Sequence, residues 1–278
     1  MTRAGICAIL IWLSVVIGVL PAQARGELSV LVEECAAADL DPRETLNFCQ
    51  RALATGKLSI GAAAQVRTNL GIAFFELAQY ADARAELTRA IAVLPDLTLA
   101  YLYRARSLAA VGQLQAAAND FATVLQRDPN AWQAYYARGE MLLAHGDPAG
   151  AEQDFTSALR LERDLPDAHF GRGAARYALG MWQGAAEDFT VVLRANPRDA
   201  AAYLNRAQAR AAGGDGGATA DYDQALQLAP EWSRAWFARG AYYESLGDRE
   251  RANRDFMRAY ELGYDDPWLN ERVRRIRG

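Results

Sequence analysis

YYARG, residues 135–139, places an arginine where the inward stripe of a helix would normally carry an apolar side chain. The cluster returns as YLYRA at 101–105, HFGRG at 169–173, YLNRA at 203–207 and WFARG at 236–240. Its opening aromatic position falls at Tyr101, Tyr135, His169, Tyr203 and Trp236, in steps of 34, 34, 34 and 33 residues. A fixed period of that length marks a repeat architecture, in which each unit is one supersecondary element stacked on the last.

Each unit reads as two helices. A small residue follows the arginine at Ala105, Gly139, Gly173, Ala207 and Gly240, and a glycine closes the first helix at 112, 146, 180, 214 and 247. Glycine is the residue that ends a helix in the left-handed conformation without strain. The second helix repeats an alanine at 117, 151, 185, 218 and 252. Four residues on comes a ring, at Phe121, Phe155, Phe189, Tyr222 and Phe256, and three further a small or branched residue. Offsets of three and four lie on one helical stripe. Small residues let two helices approach while the ring fills the space beside them. Prolines at 129, 197 and 230 end units, with Pro166 displaced by three residues. An earlier unit keeps Gly71, Ala83, Leu87, Ala90 and Pro95 in register but has Leu70 in place of the arginine.

This pattern of small residue, alanine, ring and closing proline resembles the tetratricopeptide repeat family. The resemblance covers six units, at 64–97, 98–131, 132–165, 166–199, 200–232 and 233–266. It implies an all-α, right-handed superhelical solenoid of about six helix pairs, with the first helices lining a concave groove. The fifth unit departs from the pattern: it is one residue short and carries GGDGG, 213–217, as its inter-helix turn.

Two flanks complete the array. Residues 267–278 read as a capping helix with Leu269, Val273 and Ile276 on one side and solvated arginines at 272, 274, 275 and 277 on the other. Residues 25–63 read as a degenerate helical hairpin, a helix near Leu28–Ala38 followed by a second that starts at Asp41-Pro42-Arg43-Glu44, the order of a capping box with proline in the first turn. Ahead of it, residues 1–24 carry a single charge, Arg3, then an apolar run to Leu20 and the Ala-Gln-Ala of 22–24. That order is a secretory signal peptide cleaved after Ala24. The alternative is an uncleaved membrane anchor, for which the run is short. Without these residues Cys7 is lost, leaving Cys35 and Cys49, which in an exported protein read as one disulfide stapling the hairpin, the alternative being two buried thiols.

The second helices repeat an acid just before the ring, at Asp120, Asp154, Asp188, Asp221 and Asp255. A half-buried arginine needs a partner, because an unpaired charge is costly to desolvate. Arg104, Arg138, Arg172, Arg206 and Arg239 are therefore expected to reach these aspartates, in the same unit or its neighbour. The alternative is an arginine ladder open to anionic ligands. The unit 64–97, which has Leu70 in place of the arginine, has Glu86 at the acid position.

No catalytic constellation is legible. The two histidines, His145 and His169, have no metal-ligand spacing, and no nucleophile elbow or phosphate loop occurs. No cofactor or metal is expected. The net charge of −4 gives no electrostatic reason to hold nucleic acid. What remains is surface. The resemblance implies that Leu102, Tyr136, Phe170, Leu204 and Phe237 face the groove, followed by Arg106, Glu140 and Gln208 a turn later, then Tyr177 and Glu244, with Glu152 on the outer side. Rigid aromatics among polar groups suit peptide or protein recognition. The expected function is a non-catalytic interaction scaffold of the bacterial periplasm or exterior, touching membrane only if the leader is retained. Its rivals are a membrane-tethered assembly factor, and an envelope enzyme or small-ligand receptor.

Overall fold

The computed structural model describes residues 22–37 and 39–277, and among these it holds fifteen α-helices and no strand. The leader at 1–24 lies outside the described residues except for its end, and the expected cleavage point after Ala24 falls inside the first helix, α1 (Ala22–Ala36). That helix begins earlier than the Leu28 read from the sequence and buries Leu28, Leu31 and Cys35. It pairs with α2 (Pro42–Ala54), where Cys49 meets Cys35 in a disulfide with 4.8 Å between the Cα atoms. Both cysteines are buried, within a cluster that includes Val66 and Leu70 of α3 (Ile60–Glu76). Asp41 caps α2 by accepting from the Arg43 N–H at 2.8 Å, one residue short of the Glu44 N–H that a capping box uses. Glu44 contributes only its charge to the first turn.

Contacts divide the chain into two compact units that meet between Arg138 and Gly139. In the first, α3 pairs with α4 (Tyr80–Val93) and α5 (Thr98–Ala110) with α6 (Leu114–Arg127), and α3 also touches α5. α7 (Trp132–Ala144) crosses the boundary. In the second unit α8 (Pro148–Leu161) precedes three hairpins: α9 (Pro166–Ala178) with α10 (Trp182–Ala195), α11 (Ala200–Ala212) with α12 (Ala218–Leu228), and α13 (Ser233–Ser245) with α14 (Arg249–Glu261). The first helices α9, α11 and α13 touch in series and so form one layer. α3 opens at Ile60, four residues ahead of the unit start read at 64, with Ser59 as its N-cap.

The repeat chemistry explains the packing. The rings Phe121, Phe155, Phe189, Tyr222 and Phe256 are all buried, as are the alanines four residues before them. Burying one such ring contributes roughly 1.5–3 kcal/mol. The small residue after each arginine exists because that ring packs against its backbone: a Cβ on Gly173 would come within 3.0 Å of the Phe189 ring, and one on Gly240 within 2.9 Å of Phe256. Gly112, Gly146, Gly180, Gly214 and Gly247 all take positive φ at the first-helix end, and in the earliest pair Ala78 takes that conformation instead, at φ 57°. The GGDGG turn is tied down as well. Asp215 accepts from the Gly217 N–H at 2.9 Å and faces Arg210 at 3.4 Å.

The last helix, α15 (Pro267–Arg277), buries Leu269 and Val273 against α14. Its arginines are not all mere solvation. Arg272 pairs with Glu244 of α13 at 3.0 Å and donates to Asn253 of α14 at 3.2 Å, so it pins the cap to both helices of the last pair. Arg274 and Arg275 remain exposed beside Glu271.

Candidate interaction surface

The recurring arginine is a brace between helices. On α5, Arg104 clasps Asp120 of its own pair with Nε to Oδ2 at 2.7 Å and Nη2 to Oδ1 at 2.8 Å, while Nη1 reaches Thr88 of the preceding second helix at 3.3 Å. The same fork joins Arg172 to Asp188, Arg206 to Asp221 and Arg239 to Asp255. Their Nη1 atoms likewise reach back sixteen residues, to Thr156, Thr190 and Asp223. The aspartate partner is thus within the unit, and the third contact is with the unit before. Arg138 and Asp154 lie on either side of the boundary between the two compact units; Asp154 is buried.

The opening aromatic completes the brace. Guanidinium carbons lie over Tyr101, Tyr203 and Trp236 at 5.4, 5.5 and 4.8 Å, and Arg138 over Tyr135 at 5.8 Å. A ring three residues earlier on the helix thereby carries the face of the cation whose edge the aspartate holds. His169 cannot serve as that platform and instead bonds Asp188 through Nδ1 at 2.8 Å. In the earliest pair Leu70 replaces the arginine, and Glu86 takes Arg67, one turn earlier, at 2.5 Å and Arg89 beside it.

Two units add a second arginine that the sequence reading passed over. Arg176 spans Asp188 and Glu152, each at 2.9 Å, and Arg210 reaches Asp221 at 2.6 Å. The signal was present as arginines four apart, at 172 and 176 and at 206 and 210. Glu152, expected on the outer side, is tied to the next first helix through Arg176. Burial alone would raise the carboxyl of Asp188, but the bonds from His169 and Arg172 and the charges of Arg172 and Arg176 outweigh it and hold it below the usual range. The Asp120 hydrogen bond pushes Arg104 up against its own desolvation. With Nε and both Nη atoms engaged and an aspartate neutralising each charge, these forks are poorly placed to grip an anionic ligand, and the open arginine ladder is set aside.

The residues expected to line the groove divide into two sets. Leu102 and Leu204 are buried, and Leu204 packs with Ala207 and Tyr222; as aliphatic side chains they sink into the helix layer and leave the surface. Glu244 is taken up by Arg272. The rings stay half-buried or exposed. Phe170 meets Phe189 edge to face at 5.4 Å, Tyr177 is 37% exposed against Trp182, and Phe237 stacks on Tyr264 at 4.6 Å beside Trp268. In the first compact unit Tyr136 is half-buried and Arg106 lies over Phe75 and Tyr103; in the second Gln208 is half-buried and Glu140 exposed. Among the described residues no group of acidic, histidine or cysteine side chains could hold a metal ion, and no helix is long and apolar enough to cross a membrane.

Comparison with known proteins adds to this geometry. Residues 102–169, 142–193 and 233–262 match models described as tetratricopeptide repeat. No curated protein matches the chain. Among solved structures, a tetratricopeptide repeat protein from Parabacteroides merdae superposes with a TM-score of 0.60 at 22% identity, covering 88% of this chain and 97% of that one. The C-terminal part of a repeat-containing protein from Cytophaga hutchinsonii gives 0.64 at 19% identity, with the same coverage. YrrB, described as a TPR protein with an unusual peptide-binding site, gives 0.59 at 21% identity over 68% of this chain and 97% of its own. Paired helices of fixed period, each ring seated against the small residue of its partner helix, and these matches agree: residues 102–193 and 233–262 carry tetratricopeptide repeats, and the chain has the helical-repeat fold of such arrays.

Proposed function

We propose that this protein is a non-catalytic scaffold that binds a peptide or protein partner on the layer formed by its first helices, and that it does so outside the cytoplasm. The fold itself supports an interaction scaffold. The observation that carries the finer reading is the contrast between two sets of side chains. Arginines and aspartates that could have gripped a ligand are paired with one another, while large rings at equivalent places on α9 and α13, Phe170 and Phe237, together with Tyr177, keep part of their surface open. A preformed helical layer loses little ordering entropy on binding, so modest contacts yield useful affinity. The relative YrrB is described as having a peptide-binding site, which is in keeping with this reading.

Export rests on the leader at 1–24 and on the cysteine pair, since disulfides persist in oxidising compartments. Sequencing the amino terminus of the native protein tests it: Arg25 as first residue fits release, and an intact leader would favour the tethered reading. The binding claim is tested by photocrosslinking in the native host with the probe at Tyr177 and, as control, at the exposed Glu187 of α10. Capture of a discrete protein from Tyr177 alone, abolished when Phe170 is changed to Ala, is the expected result. Equal labelling from both positions would sink the claim.

A further inference from the structure

Arg106 breaks the rule its neighbours keep. Two residues after Arg104 on α5, its guanidinium carbon lies 4.5 Å from the ring centroid of Phe75 on α3 and 5.3 Å from that of Tyr103. Those rings meet edge to face at 5.6 Å, and Tyr80 also packs against Phe75, with centroids 5.6 Å apart. Arg67, Arg104, Arg172, Arg176, Arg206, Arg210, Arg239 and Arg272 each hold a carboxylate. Arg106, half-buried like them, has neither a carboxylate in ion-pair range nor a hydrogen-bond acceptor among the described residues. Seated over two rings, the guanidinium keeps its fork of N–H donors uncommitted among the described residues.

We propose that Arg106 on its Phe75–Tyr103 platform anchors an acidic side chain of the partner, set next to an apolar residue that covers the rings. This rests on the scaffold reading above. A planar fork matches a carboxylate through two parallel bonds, and holding it in advance reduces the entropy lost on binding. The chain's net charge of −4 disfavours a long acidic tract, so the ligand carries one or two acids amid apolar residues.

The test is selection from a random octapeptide library on beads, with amidated C-termini so that side chains supply the only carboxylates. The targets are the purified protein and its Arg106→Gln, Arg106→Lys and Arg106→Glu variants, each first shown to melt like the parent. The parent is expected to enrich Glu or Asp beside Leu or Phe. Replacing that acid by its amide weakens binding to the parent about tenfold, or ~1.4 kcal/mol, and to Arg106→Gln less than twofold. Arg106→Lys keeps the acidic preference at lower affinity, and Arg106→Glu exchanges it for Lys and Arg. Enriched peptides without an acid, or the same acidic set on Arg106→Gln, would overturn the proposal while leaving the scaffold intact. No enrichment on any target would overturn both.

Discussion

Removing Asp120 tests the brace where its geometry is simplest. Asp120 is 6% exposed and takes both edge bonds of Arg104, at 2.7 and 2.8 Å. In Asp120→Ala the guanidinium keeps only Thr88 at 3.3 Å. Breaking a buried pair costs about 3–5 kcal/mol, and the 21% exposure of the Arg104 side chain lets water reach it, which places the cost near ~3 kcal/mol. For a domain of this size that is a fall in Tm of roughly 6–12 °C. Replacing both partners, Arg104→Met with Asp120→Leu, removes the charge along with its need and is expected to stay within about 1 kcal/mol of the parent. Thermal and urea melts followed by far-ultraviolet circular dichroism measure both. A loss under ~0.5 kcal/mol in Asp120→Ala, or a double variant as weak as the single, would refute the reasoning, because the fork would then be surface decoration.

Three further outcomes follow from the packing and charges. Reducing the Cys35–Cys49 bridge, or changing both cysteines to Ala, is expected to cost about 3 kcal/mol in the chain-entropy account of a loop this size, with α1 and α2 losing hydrogen-exchange protection first. Gly171→Ala should destabilise by about 1–3 kcal/mol, against the ~1 kcal/mol gain that helix propensity alone would give, because the new Cβ would lie 2.5 Å from the Phe155 ring; a calorimetric Tm above the parent's would contradict that. The lowered carboxyl of Asp188 stabilises the fold above the ordinary unfolded value near ~3.9. That contribution is lost as pH falls through its lower folded value, so Asp188→Asn should flatten the acid limb of a stability–pH curve below about pH 4.

The repeat was legible because it is written several times in one register. Spacing alone revealed the helix pairs, the closing glycines and the small residues that seat the rings. The arginine–aspartate pairing was readable as a requirement, since a half-buried cation needs a partner, but not as a direction. Only coordinates show that the aspartate lies in the same pair and the third contact in the one before. Local substitutions hid the rest. Arg67 stands in for Leu70 from one turn away, and Arg272 reaches from the cap to Glu244, a long-range contact that no spacing encodes. The surface was less legible still. Leu102 and Leu204 share a repeat position with Phe170 and Phe237, yet a branched aliphatic side chain sinks between helices where a ring remains at the rim. Arg106 could be placed on the surface from its position, but its lack of a carboxylate is a property of all its neighbours together.

One class of arginine in this chain braces helices, and Arg106 is the one we propose is left for a partner. Hydrogen exchange at the arginine side-chain Nε–H groups, followed by heteronuclear NMR on deuterated protein, reads that distinction residue by residue. Arg104, Arg172, Arg206 and Arg239, whose Nε atoms donate to buried aspartates, should exchange far more slowly than Arg106, whose Nε–H should exchange at nearly the solvent rate. Equal rates across all five, or protection at Arg106 alone, would contradict the account.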